Sequence, residues 1–171
     1  MKKILVIILF LLFCSNYSTI AKERNLLEGK YSIANQNIEF SRVGNERFEL
    51  NGDWVKVSSY DGKQFLISRN DLITSNDIKY IQVKFKKDEV DKINVKIEKE
   101  DYYIVEVHFK KNSYEKIKKI SEQHLNREFA LVKNHIVLKT GIIMDVFMKA
   151  TQMSRWNESE ILMLLEGMKR K

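Results

Sequence analysis

The chain has 171 residues, Lys+Arg 30 against Asp+Glu 23 for a formal charge of +7, 44% hydrophobic residues, one cysteine and no proline. This length and apolar content suit a packed core rather than a disordered or fibrous chain, and a lone cysteine excludes a disulfide framework. The basic surplus is interspersed with acids, and no helix-turn-helix, zinc finger or aromatic RNA-binding strand accompanies it, which argues against nucleic acid as a partner.

Lys2 and Lys3 precede an unbroken apolar run over residues 4–13, and Cys14, a polar stretch and Thr19-Ile20-Ala21 follow. A short positive region, an apolar core and small residues before the cut predict a secretory signal peptide over residues 1–21. The run is well short of the roughly 20 residues of a membrane-spanning helix. Two alternatives stand beside cleavage after Ala21. One is an uncleaved anchor. The other is a lipoprotein carrying lipid on Cys14, although Phe13 occupies the place where that pattern wants a small residue. The expected location is exported: periplasm, cell envelope or secreted. Once cleaved, the chain has no cysteine, so its core rests on apolar packing alone.

Residues 22–62 read as a β-rich segment. Tyr31-Ser-Ile, Asn37-Ile-Glu-Phe, Arg47-Phe-Glu-Leu and Trp54-Val-Lys-Val alternate with period two. Gly44-Asn45, Asn51-Gly52-Asp53 and Asp61-Gly62 supply the positive φ angles of tight turns. A small β-meander is expected, with a last strand over 63–68.

Residues 63–171 read as an α+β domain. Strands are predicted over 80–86, 92–98 and 102–109, each with one apolar face. Asn112 with Glu115 forms a candidate capping box, and Tyr114, Ile117 and Ile120 give the helix it opens an apolar stripe closing near Leu125. Strands over 129–133 and 136–140 flank Asn134-His135, two residues that tolerate positive φ. Asn157 and Glu160 form a second capping box. Ile161, Leu164, Leu165 and Met168 then follow at the spacing of a helix lying on a sheet. The expected architecture is one antiparallel sheet with both helices packed on one face.

The search for chemistry returns little. His108, His124 and His135 show no metal-ligand spacing, and no nucleophile elbow, phosphate loop or dinucleotide fingerprint is present. Asp145 lies in the apolar stretch 142–148, which invites an active-site reading; alternation with Ile143 and Phe147 makes it a solvated or hydrogen-bonded acid instead. Met144, Met148, Met153, Met163 and Met168 either form an adaptable peptide-binding surface or fill the core. Lys84, Lys86, Lys87 and Lys110, Lys111, Lys116, Lys118, Lys119 either attract an anionic membrane or acidic partner, or make an ordinary solvated face. No catalytic, cofactor-binding or metal-ligating residue is assigned, and the chain is expected not to be an enzyme.

Residues 64–168 carry a resemblance. Val107-His108-Phe109 ends a strand and a helix follows. Then come Arg127-Glu128-Phe129-Ala130-Leu131-Val132, Asn134-His135 and Ile136-Val137-Leu138, and the segment closes on Trp156-Asn157-Glu158-Ser159-Glu160 through Leu164-Leu165-Glu166-Gly167. Upstream, Leu72-Ile73-Thr74-Ser75-Asn76-Asp77-Ile78 matches the entry to the same unit. In this order the segment resembles the head of the first periplasmic domain of SecD, the accessory subunit of the bacterial protein-export machinery. The family's proline is missing at Lys139-Thr140-Gly141, and Ala150-Thr151-Gln152-Met153-Ser154 stands where the family has glycines. No counterpart of SecD's six membrane helices is present. The resemblance therefore implies a head-type α+β fold and contact with polypeptide or an envelope partner, not the export activity itself. The alternative is a secreted or lipid-anchored interaction protein that reuses the fold. For polypeptide, the expected site is a free edge on strand 80–86 beside the methionines at 144–153, with Lys84 and Lys110 favouring acidic segments.

Overall fold

The structure is a computed structural model and describes residues 26–44, 53–70, 72–86 and 102–171. The leader expected at 1–21 with Cys14, the strands expected at 47–50 and 92–98, the Asn51-Gly52 turn and Lys87 lie outside the described residues. In chain order come β1 (Gly29–Ser32), β2 (Ile38–Arg42), β3 (Trp54–Ser59), β4 (Gln64–Ser68), β5 (Ile73–Thr74), β6 (Ile78–Lys86) and β7 (Tyr102–Phe109). Helix α1 (Tyr114–Gln123), β8 (Glu128–Lys133), β9 (Ile136–Ile142), β10 (Ala150–Trp156), α2 (Glu158–Leu165) and β11 (Lys169–Arg170) follow. The fold is α+β. Its two sheets run β10-β7-β6-β1-β11 and β4-β3-β9-β8-β2-β5.

The single sheet expected from sequence is thus corrected to two, with β7 in one and the β8–β9 hairpin in the other. The reason lies in β8, which is apolar on both faces and needs cover on both. Phe129 and Leu131 enter a large core shared by both sheets and both helices, while Ala130 and Val132 enter a second, smaller one. The meander expected at 22–62 is also redistributed. β1 pairs with β6 and β11, β2 pairs with β8 and β5, and only β3 and β4 form a hairpin, across Gly62 at φ +83°. Alternation marks a stretch as a strand but does not name its partner.

The six-stranded sheet curls back on itself. Val43, just past β2, bridges Ile67 of β4, and the Gly44 N–H donates to the Leu66 carbonyl at 2.9 Å. The curl encloses Val57, Ile67, Ala130, Val132 and Val137. Its outer side and the five-stranded sheet together build the large core, to which α1 adds Ile117 and Ile120 and α2 adds Ile161 and Leu164.

The two helix starts differ. Asn157 caps α2 as expected: its Oδ1 accepts from the Glu160 N–H at 2.9 Å, and Glu160 Oε2 accepts from the Asn157 N–H at 2.9 Å. The Asn112–Glu115 box does not form. Residues Lys111–Ser113 make a 3-10 turn, so the chain enters α1 already wound, and Ser113 at φ −100°, ψ −3° makes no side-chain cap. A side-chain cap needs an extended residue there. At its far end α2 stops at Leu165, short of Met168, because Gly167 at φ +72° reverses the chain into β11. Among the described residues no helix is long and apolar enough to cross a membrane.

Candidate functional site

A groove of about 540 Å³ opens between residues 140–147 on one side and 150–154 on the other. Phe40, Phe129 and Met153 contribute to its lining, and Asp145 is its only charged residue among the described residues. The first wall leaves β9 and is tied down along its length. The Ile143 N–H donates to the Arg127 carbonyl at 3.0 Å, the Phe147 N–H donates to Ser121 Oγ at 2.9 Å, and the Phe147 ring stacks on Phe109 with centroids 6.3 Å apart. Ile143 is buried by this arrangement. Its neighbours are turned out: Ile142 is 60% exposed, Met144 77% and Met148 57%. Of these, Ile142 and Met144 line the groove on a wall held in place by hydrogen bonds.

The second wall is β10, an edge strand. It pairs with β7 in the register Thr151↔Val107 and Met153↔Val105, and the Phe109 N–H donates to the Lys149 carbonyl at 2.9 Å. In an antiparallel pair the bonding residues alternate. Residues 149, 151 and 153 therefore turn their N–H and C=O groups to β7, and 150, 152 and 154 turn theirs outward. Among the described residues no strand pairs with that outer side. The strand is regular until its bulge between Met153 and Trp156, where Arg155 sits at φ +59°.

The methionines divide between the two readings open to them. Met144 and Met148 are displayed, whereas Met153, Met163 and Met168 pack against the large core. The binding edge expected on strand 80–86 needs correction: β6 lies between β7 and β1, and β1 pairs with it over Ile81–Val83. The cations expected beside it do not line the groove. Lys84 is instead paired with Glu106 at 2.5 Å on the outer face of the five-stranded sheet. That hydrogen bond, with a further one from His108 and against the opposing effect of burial, holds Glu106 below the usual carboxylate range.

The histidines go to three places. His108 stacks on Tyr80 at 4.3 Å and stands 3.4 Å from Glu106, His124 caps the end of α1 beside Phe129, and His135 sits in the β8–β9 turn at φ +62°. Asp145 is exposed and its Oδ1 accepts from the Val146 N–H at 2.7 Å. Among the described residues no three His, Cys, Asp or Glu side chains gather as a metal site would require.

Two polar clusters were not anticipated, and both are structural. Lys133 is buried at the end of β8, where its Nζ donates to the carbonyls of Met163, Leu164 and Glu166 at 2.8, 3.1 and 2.7 Å. It thereby satisfies carbonyls that the last turn of α2 leaves without partners. Lys139 Nζ reaches both oxygens of buried Glu160 at 3.0 Å and the Arg155 carbonyl at 2.8 Å, fixing the bulge of β10 against α2. No protein-family model matches this chain, and no curated protein matches it.

Proposed function

We propose that this protein is an exported, non-catalytic module that binds polypeptide. The observation that carries the reading is the groove beside β10: mixed in polarity, bordered by displayed Ile142 and Met144, and with Asp145 as the one charge among its described lining residues. Methionine suits such a site because its unbranched, polarizable side chain adapts to different partners. The order of elements over 64–168 adds the likeness to the SecD head, and the leader-like segment at 1–21 adds the compartment. Contact with an unfolded chain or with an envelope partner fits that setting.

Titration of the protein with a reduced, carboxymethylated, unfolded model substrate tests the reading. Binding should saturate and should weaken about tenfold or more in Met144→Asp, which places a charge where an apolar partner packs. Because no cation lines the groove among the described residues, affinity should change little between low and physiological salt. Absence of binding at high protein concentration would remove polypeptide as the ligand.

A further inference from the structure

We propose that the bound polypeptide is an extended segment that adds as a strand to the free edge of β10, its apolar side chains at alternate positions facing the groove floor. The inference rests on the polypeptide-binding reading and specifies its mode and its ligand. Edge strands are normally guarded by charge, proline, bulges or shortness, because a bare edge pairs with any strand that meets it. β11, the opposite edge of the same sheet, is two residues long and consists of Lys169 and Arg170. The outer edges of the curled sheet are handled differently: β4 is bridged by Val43, and β5 has two residues. β10 breaks this pattern. Residues 150–153 are Ala, Thr, Gln and Met, without charge or proline, and the bulge at Arg155 begins only beyond them.

The unguarded stretch is also the stretch that forms the groove wall. Ala150, Gln152 and Ser154 present the outward N–H and C=O groups, a spacing that an added strand meets residue for residue. A strand laid there points every second side chain to the side of Thr151 and Met153, toward Phe40 and Phe129. Apolar residues at those positions would be covered, while the intervening ones stay in water. Asp145, the only charged lining residue among the described residues, favours a neutral or weakly basic segment over an acidic one. The occupant is therefore a polypeptide segment of alternating apolar and polar residues, held through its backbone and tolerant of sequence.

The test uses a peptide of four Thr-Val repeats flanked by lysines for solubility, together with two derivatives N-methylated at one or the other alternate set of residues. The parent should bind. Methylation of the set facing β10 should weaken binding at least tenfold, and methylation of the other set should be tolerated. On binding, the amides of 150, 152 and 154 should exchange with solvent at least tenfold more slowly. Gln152→Pro removes an outward N–H that β7 does not use, so it should retain the fold and lose the peptide, while Gln152→Ala keeps it. If the peptide and the unfolded substrate bind but both methylated forms bind equally and the three amides exchange as in free protein, strand addition fails and polypeptide binding survives. If neither ligand binds, both readings fail. A dimer that Gln152→Pro converts to monomer would assign the edge to a second copy of the chain and overturn the proposal.

Discussion

Replacing Lys133 by Met keeps most of the buried stem and removes the ammonium. The residue is 4% exposed, and its Nζ serves three carbonyls of the α2 end, one of those bonds fully buried and two partly so. A buried group left without its hydrogen bond costs about 1–3 kcal/mol, and a cation at a helix C-terminus contributes about 0.3–1 kcal/mol more. Against this, methionine relieves the desolvation of a buried charge, which in some proteins offsets the loss altogether. Here three acceptors lose one donor together, so the loss should dominate, at about 2–4 kcal/mol. For a domain of this size that corresponds to a Tm lower by roughly 5–15 °C. Thermal and urea unfolding followed by circular dichroism measure it directly. Burial lowers the Lys133 pKa from its ordinary 10.5, with Glu166 opposing. Below 10.5 the unfolded chain therefore holds this proton more tightly than the folded one, so the site's contribution rises with pH across that window. The margin of wild type over Lys133→Met should widen toward pH 10.5. A variant that melts within a degree of wild type, at neutral and alkaline pH alike, would show that the carbonyl cap contributes nothing.

Leu164 is fully buried in the large core, and Leu164→Asp should cost roughly 3 kcal/mol or more; a melting temperature within a degree of wild type would contradict the packing of α2. Asp77 is pushed up by burial, but hydrogen bonds from Lys116 Nζ at 2.6 Å, the Thr74 N–H at 3.0 Å and Ser113 outweigh that and hold it below its ordinary 3.8. A depressed carboxyl stabilises the fold above its unfolded pKa and loses that contribution as pH falls through the folded value. Asp77→Asn should therefore cost about 1–2 kcal/mol at pH 7 and much less at pH 2, and equal urea midpoint differences at the two pH values would refute this. Intact-mass analysis of exported protein should give a chain beginning at Lys22, whereas a mass carrying diacylglycerol on Cys14 would establish the lipoprotein.

Features set by a few adjacent residues were legible in the sequence. Asn134-His135 announced the β8–β9 turn, and both residues adopt positive φ, 50° and 62°. Asn157 and Glu160 announced α2. Pairing across distance was not legible, because β1, β2 and β3 look alike as alternating stretches and find partners in two different sheets. β10 was missed because its period-two signal, Thr151-Gln152-Met153-Ser154, is short and runs into a bulge. β11 was missed because two charged residues carry no pattern. The site was half visible: the methionines at 144–153 stood out, but the free edge was assigned to β6, which is central. Lys133 did leave a trace. It shares strand parity with Phe129 and Leu131, and a lysine in register with a core face points to a buried acceptor.

The pairing of β1 with β11 ties together the two extremes of the described chain. Arg170 Nη2 donates to the Glu28 carbonyl at 2.5 Å, across a sequence separation of 142. Loop closure over such a span comes late and slows folding. The five-stranded sheet is therefore complete only once Lys169 and Arg170 have joined β1. Residues 169–171 thus close one edge of the sheet over β1. Until then the outer side of β1 is open to a strand from another chain; once Lys169 and Arg170 pair there, that side is taken.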